Sequence, residues 1–209
     1  MKTLIWDYNG TIIDDLKISL KAENQMLAER GLPHGYTEED YRALFCFPME
    51  DYYRKIGYTF ENETFADVAE EFNEIYDDLF DECTLCKGVK DKLEEAKQKG
   101  YQNVILSSCQ DDKLHRQLKQ LGIYDEFREI MGIDNLLGGS KIEIGKHWMI
   151  RSGVRPEECM YLGDTTADLD TAKALNIENI ILVASGHQSY TQLKNAWSQV
   201  VHDLTEVEL

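Results

Sequence analysis

Basic side chains are scarce in this chain: 22 lysines and arginines stand against 39 aspartates and glutamates, a formal net charge of −17 over 209 residues. DNA, RNA and anionic membranes are recognised from a basic footprint, so the composition argues against all three as partners. Long apolar runs are missing too. No stretch approaches the roughly 18 residues that span a bilayer, and the opening MKTLIWDYNG lacks the apolar region of a signal peptide. The expectation is a cytoplasmic protein with no membrane partner. Cysteine is sparse, and the odd count (Cys46, Cys83, Cys86, Cys109, Cys159) fits reduced thiols. No second cysteine or histidine pair completes a zinc tetrahedron with Cys83-x-x-Cys86, which reads as two ordinary thiols near a helix start. Repeats and low-complexity segments are absent.

What is present is a rhythm. Residues 3–6 form a short apolar run that ends at Asp7 and an Asn9-Gly10 turn. From about residue 14 to 80 the pattern is helical. Phe65, Val68, Ala69, Phe72, Ile75, Tyr76 and Leu79 recur at three- and four-residue spacing, and residues 38–45 and 49–56 read as shorter helices, the second behind Pro48. After Gly88 helices and strands alternate. Helices are expected at 89–99 (closed by Gly100), 112–121, 142–152 and 166–175, and strands at 103–106, 129–132, 159–162 and 180–183. This alternation predicts an α/β fold, a Rossmann-like three-layer core around a parallel sheet. Residues 1–14 and 83–209 would form that core and residues 15–82 an inserted helical cap.

In a parallel sheet ligands gather at the carboxyl ends of the strands. Asp7 and Asn9 follow the first strand, and Ser107 and Ser108 the second. Lys141 follows the third, through Gly138-Gly139-Ser140, and Asp164 and Asp168 follow the fourth. His187 follows the fifth and is a further rim candidate.

In these segments the chain resembles the haloacid dehalogenase-like superfamily of phosphohydrolases, closest in layout to phosphoglycolate-phosphatase-like members with a helical cap. Asp7-Tyr8-Asn9-Gly10-Thr11 matches the first motif, DxDx(T/V), and Val104-Ile105-Leu106-Ser107 the second. Lys141 matches the motif lysine, with Lys146 as the other candidate, and Gly163-Asp164-Thr165-Thr166-Ala167-Asp168 matches GDxxxD. The resemblance implies a Mg²⁺-dependent phosphohydrolase that acts on a small phosphate ester through an aspartyl-phosphate on Asp7. It implies Asp7, the Asn9 backbone carbonyl, Asp164 and Asp168 as metal ligands, and Ser107, Ser108 and Lys141 as phosphate-binding groups. Phe47, Tyr52, Tyr53 and Arg54 are candidates for contact with the rest of the substrate. The chain departs from the family at Asn9, where the phosphatases carry an aspartate that protonates the leaving oxygen. An amide does not exchange a proton near neutral pH. The departure leaves three readings: a slower phosphatase, a phosphonatase-like hydrolase using a cap lysine (Lys17, Lys21 or Lys55), or a non-catalytic binder of phosphorylated ligands.

Overall fold

A computed structural model describes residues 2–209. In chain order the elements are β1 (Thr3–Trp6), β2 (Ile13–Asp14), α1 (Leu16–Glu29), α2 (Glu38–Leu44), α3 (Met49–Lys55), α4 (Phe65–Leu79), β3 (Thr84–Leu85), α5 (Val89–Gln98) and β4 (Gln102–Gln110). There follow α6 (Asp111–Gln120), β5 (Glu129–Ile133), α7 (Ile142–Ser152), β6 (Cys159–Gly163), α8 (Thr166–Ala174), β7 (Ile180–Val183), α9 (Tyr190–Ala196) and β8 (Val200–Val201).

Six strands form one sheet in the order β5-β4-β1-β6-β7-β8, with every pairing parallel. β1 lies at its centre, with Ile5 level with Val104 on one side and Tyr161 on the other. A strand enclosed on both faces needs no polar alternation, which is why Thr3–Trp6 is buried throughout. Its side chains divide between two cores. Leu4 and Trp6 pack with Leu93 and Ala96 of α5 and Leu114 and Leu118 of α6. Ile5 packs on the opposite face with Trp148 of α7 and Leu169 and Ala172 of α8. Helices therefore cover both faces, the three-layer arrangement expected from the alternation.

The helices α1 to α4 gather around a third apolar cluster of their own, including Met26, Leu27, Tyr41, Tyr52 and Val68. Capping boxes at Thr37 and Thr64 start α2 and α4 by satisfying backbone N–H groups that the helix leaves open. The chain enters and leaves this helical stretch through an antiparallel pair, β2 with β3, in which Ile13 faces Leu85 and Asp14 faces Thr84. Neither two-residue strand is evident in the sequence, and nor are α9 and β8. The strand expected at 103–106 runs on to Gln110, with a register irregularity after Leu106. All five cysteines are free thiols, and Cys86 is buried beneath the first loop, its Sγ 3.6 Å from the Gly10 carbonyl. Among the described residues no helix is long and apolar enough to cross a membrane.

Candidate active site

Asp7 is the first residue beyond β1, held in line by its backbone N–H donating to Leu162 O at 2.8 Å. Lys141, the residue before α7, reaches under the sheet edge and places Nζ between two carboxylates. It bonds to Asp7 Oδ1, and to Asp168 Oδ1 at 2.6 Å. Lys146 lies on the surface and pairs with Glu143, so of the two candidate lysines the structure brings Lys141 to Asp7. Asp168 sits at the third position of α8, where it closes a capping box with Thr165. Asp164 follows β6, and its Oδ2 accepts from the His187 backbone N–H at 2.6 Å. Carboxylate oxygens of Asp7, Asp164 and Asp168 all lie within 4.8 Å of one another. Ser107 is buried beside them, its Oγ accepting from Cys109 N–H, and Ser108 lines the same cavity.

Such close approach needs glycine. Gly10 has φ +72°, and a Cβ there would stand 2.3 Å from Asp164 Oδ2; at Gly186 it would stand 2.1 Å away.

Three buried acids in one site repel each other. Burial, then the neighbouring Asp168 charge, pushes Asp7 up to about 6 although Lys141 works in the opposite direction. Burial and the charges of Asp7 and Asp168 raise Asp164 well above the usual carboxylate range, with His187 opposing. Burial disfavours the Lys141 ammonium, but Asp168 and Asp7 outweigh it and hold the lysine charged. The donor set is all oxygen, partly neutralised and crowded, which is what a hard divalent cation relieves. The residues present fit Mg²⁺.

Asn9 stands in a network that the sequence reading did not find. Its Nδ2 donates to Asp15 Oδ2 at 2.7 Å and to the Tyr76 hydroxyl at 3.1 Å. Asp15 Oδ1 accepts from the Gly10 backbone N–H and faces His187 Nε2 at 3.2 Å, while Tyr41 OH meets His187 Nδ1. Burial works against a charged imidazolium, but Asp15 beside it overrides this and pushes His187 up to about 9. Burial would likewise raise Asp15, yet His187, Asn9 and Tyr76 hold it below the usual range. A carboxylate at position 9 would meet Asp15 at the same short distance, so in this setting the amide is the electrostatically compatible residue. Asp15 and His187 are 172 positions apart in sequence, and no local pattern links them.

Above the acids lies a cavity of about 170 Å³ between the sheet edge and the helical stretch. Phe47 and Tyr53 line it, whereas Tyr52 sits behind Glu23 and donates its hydroxyl to Glu23 Oε2. Arg54 is turned outward, paired with Glu50 at 2.6 Å. None of Lys17, Lys21 and Lys55 lines the cavity. Glu23 was missed, although its signal was present: a charge on the apolar stripe of α1 alongside Ala22, Met26 and Leu27.

Burial pushes the Glu23 carboxyl up to about 8, with the Tyr52 hydrogen bond and His187 opposing. The folded state thus keeps a proton that the unfolded state releases above its ordinary value of 4.5. The associated stability is complete below that value and is lost as pH rises through about 8. Glu23→Gln should therefore match the native protein in urea unfolding at pH 4, below the ordinary value. At pH 9 it should exceed the native protein by on the order of 3 kcal/mol.

Residues 4–182 match the model of the haloacid dehalogenase-like hydrolases. The chain is 24% identical over 182 residues to a phosphoglycolate phosphatase of Vibrio vulnificus, covering 83% of this chain and 79% of that one. It is 24% identical over 177 residues to one from Synechococcus elongatus, covering 85% and 81%. A haloacid dehalogenase-like hydrolase from Streptococcus pneumoniae superposes with a TM-score of 0.82 at 19% identity, over 99% of this chain and 96% of that one. With Asp7 beyond the central strand, and with a match that runs from β1 through the helical stretch into β7, this chain belongs to the haloacid dehalogenase-like hydrolase family.

Proposed function

We propose that the protein is a phosphate-monoester hydrolase that works through a covalent phosphoryl-Asp7 intermediate, with residues 15–82 acting as a cap over the site. The observation that carries this reading is the buried contact of Asp7 with Lys141, set against Asp164 and Asp168 at the carboxyl ends of the central strands. Asp7, Asp164, Asp168 and the Asn9 backbone carbonyl would hold Mg²⁺, which when bound offsets the repulsion between carboxylate and phosphate. An Asp7 carboxylate oxygen attacks phosphorus, the P–O bond to the ester oxygen breaks, and the alcohol departs. Water then attacks the same phosphorus, releasing inorganic phosphate and restoring Asp7. Lys141 keeps Asp7 ionised and faces the charge that builds on the transferring group, and the Ser107 and Ser108 hydroxyls would donate to phosphoryl oxygens.

Asn9 has both amide hydrogens committed and no proton to give, so the leaving alkoxide draws its proton from elsewhere. Turnover should depend steeply on leaving-group quality, with acyl phosphates cleaved faster than alkyl esters. Asn9→Asp should raise kcat on alkyl phosphates by about 10²-fold and change acetyl phosphate far less. A carboxyl there lies against Asp15 and shares a proton with it, which supplies the missing acid.

The test is Mg²⁺-dependent phosphate release across acetyl phosphate and a metabolite panel that includes phosphoglycolate, with EDTA as the control. Activity that survives EDTA overturns the metal assignment. Asn9 itself favours a second reading, retention of phosphorylated ligands without turnover. Strong release by Asn9→Asp together with none by the native protein would select that reading.

A further inference from the structure

The cavity that would receive the ester group is apolar on most of its wall, and none of its cations is free. Phe45, Phe47, Met49, Tyr53, Phe65 and Phe72 line it. No arginine does. Each of its cationic residues has a carboxylate partner. Lys141 lies between Asp7 and Asp168. Lys113 is bound to Asp77 at 2.8 Å and to Asn73 at 2.7 Å, and lies over the Tyr76 ring. His187 faces Asp15 at 3.2 Å.

Among the polar side chains on this wall that keep an atom unpartnered, two project from α1 one turn apart. Glu23 is 4% exposed; its Oε2 is taken by Tyr52, and Oε1 has no partner among the described residues. Ser19 is 3% exposed, lines the same cavity, and has no side-chain hydrogen bond. Neither atom is among the sealed, unpartnered ones, so both keep a surface open to the cavity.

We propose that the substrate is the phosphate monoester of an uncharged, hydroxyl-bearing alcohol with an apolar or aromatic face, and that Glu23 and Ser19 select it against phosphorylated carboxylic acids. This rests on the phosphohydrolase reading above. A hydroxyl both donates and accepts, so it satisfies Glu23 whether that carboxyl is protonated or ionised. A carboxylate on the substrate would enter a largely apolar chamber with no uncommitted cation and a carboxyl group ahead of it. The aromatic wall offers flat surface to a ring or an alicyclic face. Phosphoglycolate falls in the disfavoured class.

Two matched pairs test this with the native enzyme and Mg²⁺: 4-(hydroxymethyl)phenyl phosphate against 4-carboxyphenyl phosphate, and glycerol 3-phosphate against 3-phosphoglycerate. Within each pair the hydroxyl member should have a kcat/KM at least about tenfold higher, with most of the difference in KM. Glu23→Gln, whose amide can donate to a carboxylate, should narrow both ratios. Ratios near one, ratios that favour the acids, or ratios that Glu23→Gln leaves unchanged would each overturn the assignment. Acetyl phosphate, which has no ester alcohol to select, reports separately on the phosphohydrolase reading. Calorimetric titration of the same four esters into Asp7→Asn with Mg²⁺ decides the preference where no turnover occurs. Tighter binding of the hydroxyl members supports the inference, and equal or reversed affinity refutes it.

Discussion

Asp7→Asn is expected to lower phosphate release by at least about 10³-fold on every ester, acetyl phosphate included. The amide fills the same volume but cannot attack phosphorus, so no phosphoryl-enzyme forms. The loss should come without unfolding. Asp7 is pushed up to about 6 in the folded state against an ordinary 3.8, so its contribution to stability is complete at acid pH and lost as pH rises through about 6. Above that pH the asparagine variant should melt no lower than the native protein when both are free of metal. Parallel kinetic and thermal measurements at pH 8 check both halves. Release that survives the substitution would remove Asp7 as the nucleophile.

The second large effect is structural as well as catalytic. Lys141→Met leaves Asp7 and Asp168 facing each other with no cation between them, and removal of one partner from a buried ion pair costs about 3–5 kcal/mol. For a chain of this size that is roughly a 6–20 °C fall in Tm. Turnover should vanish with it. The deficit should shrink as pH falls through the range in which Asp7 takes up a proton, because a neutral carboxyl no longer opposes Asp168. Lys146→Met, on the surface beside Glu143, should do neither. Scanning calorimetry of both variants at pH 5 and 8 separates a charge-balancing lysine from a packing one.

These expectations trace to features with unequal visibility in the sequence. The alternating half of the chain was legible because a strand buried on both faces leaves an uninterrupted apolar run, as in Ile180–Val183. The far end of β4 was not, since Ser107 to Gln110 turn toward the site and lose that apolar signature while remaining in the ladder. β2 and β3 were invisible because two residues carry no period. Asp7, Ser107, Lys141, Asp164 and Asp168 could be found one strand end at a time, since topology alone brings successive strand ends to one rim. The Asp15–His187–Tyr41 network could not, since it joins the start of α1, the body of α2 and the loop after β7. Glu23 falls between these cases. Its misplaced charge was visible, but which cavity it faced depended on how α1 packs.

Glu23 also links two predictions that pull in opposite directions. Its replacement by glutamine should stabilise the protein in alkali and blunt its choice of ester. A buried carboxyl that lowers stability above pH 8 yet touches the ligand chamber is a common form of conflict between stability and function.

The β2–β3 pair gives the molecule a single doorway. Because Asp14 lies directly opposite Thr84, the 69 residues between them begin and end at one point, and their length does not affect the spacing of β1 and β4. Helices could be lengthened, shortened or exchanged beyond that doorway without moving Asp7 relative to Lys141. If the helical stretch is the cap proposed above, the chemistry and the choice of substrate are thereby separable in inheritance. Apart from Asp15, Tyr41 and Tyr76, which reach back to the first loop and to His187, that stretch can diverge while the acids and lysine at the strand ends stay in register.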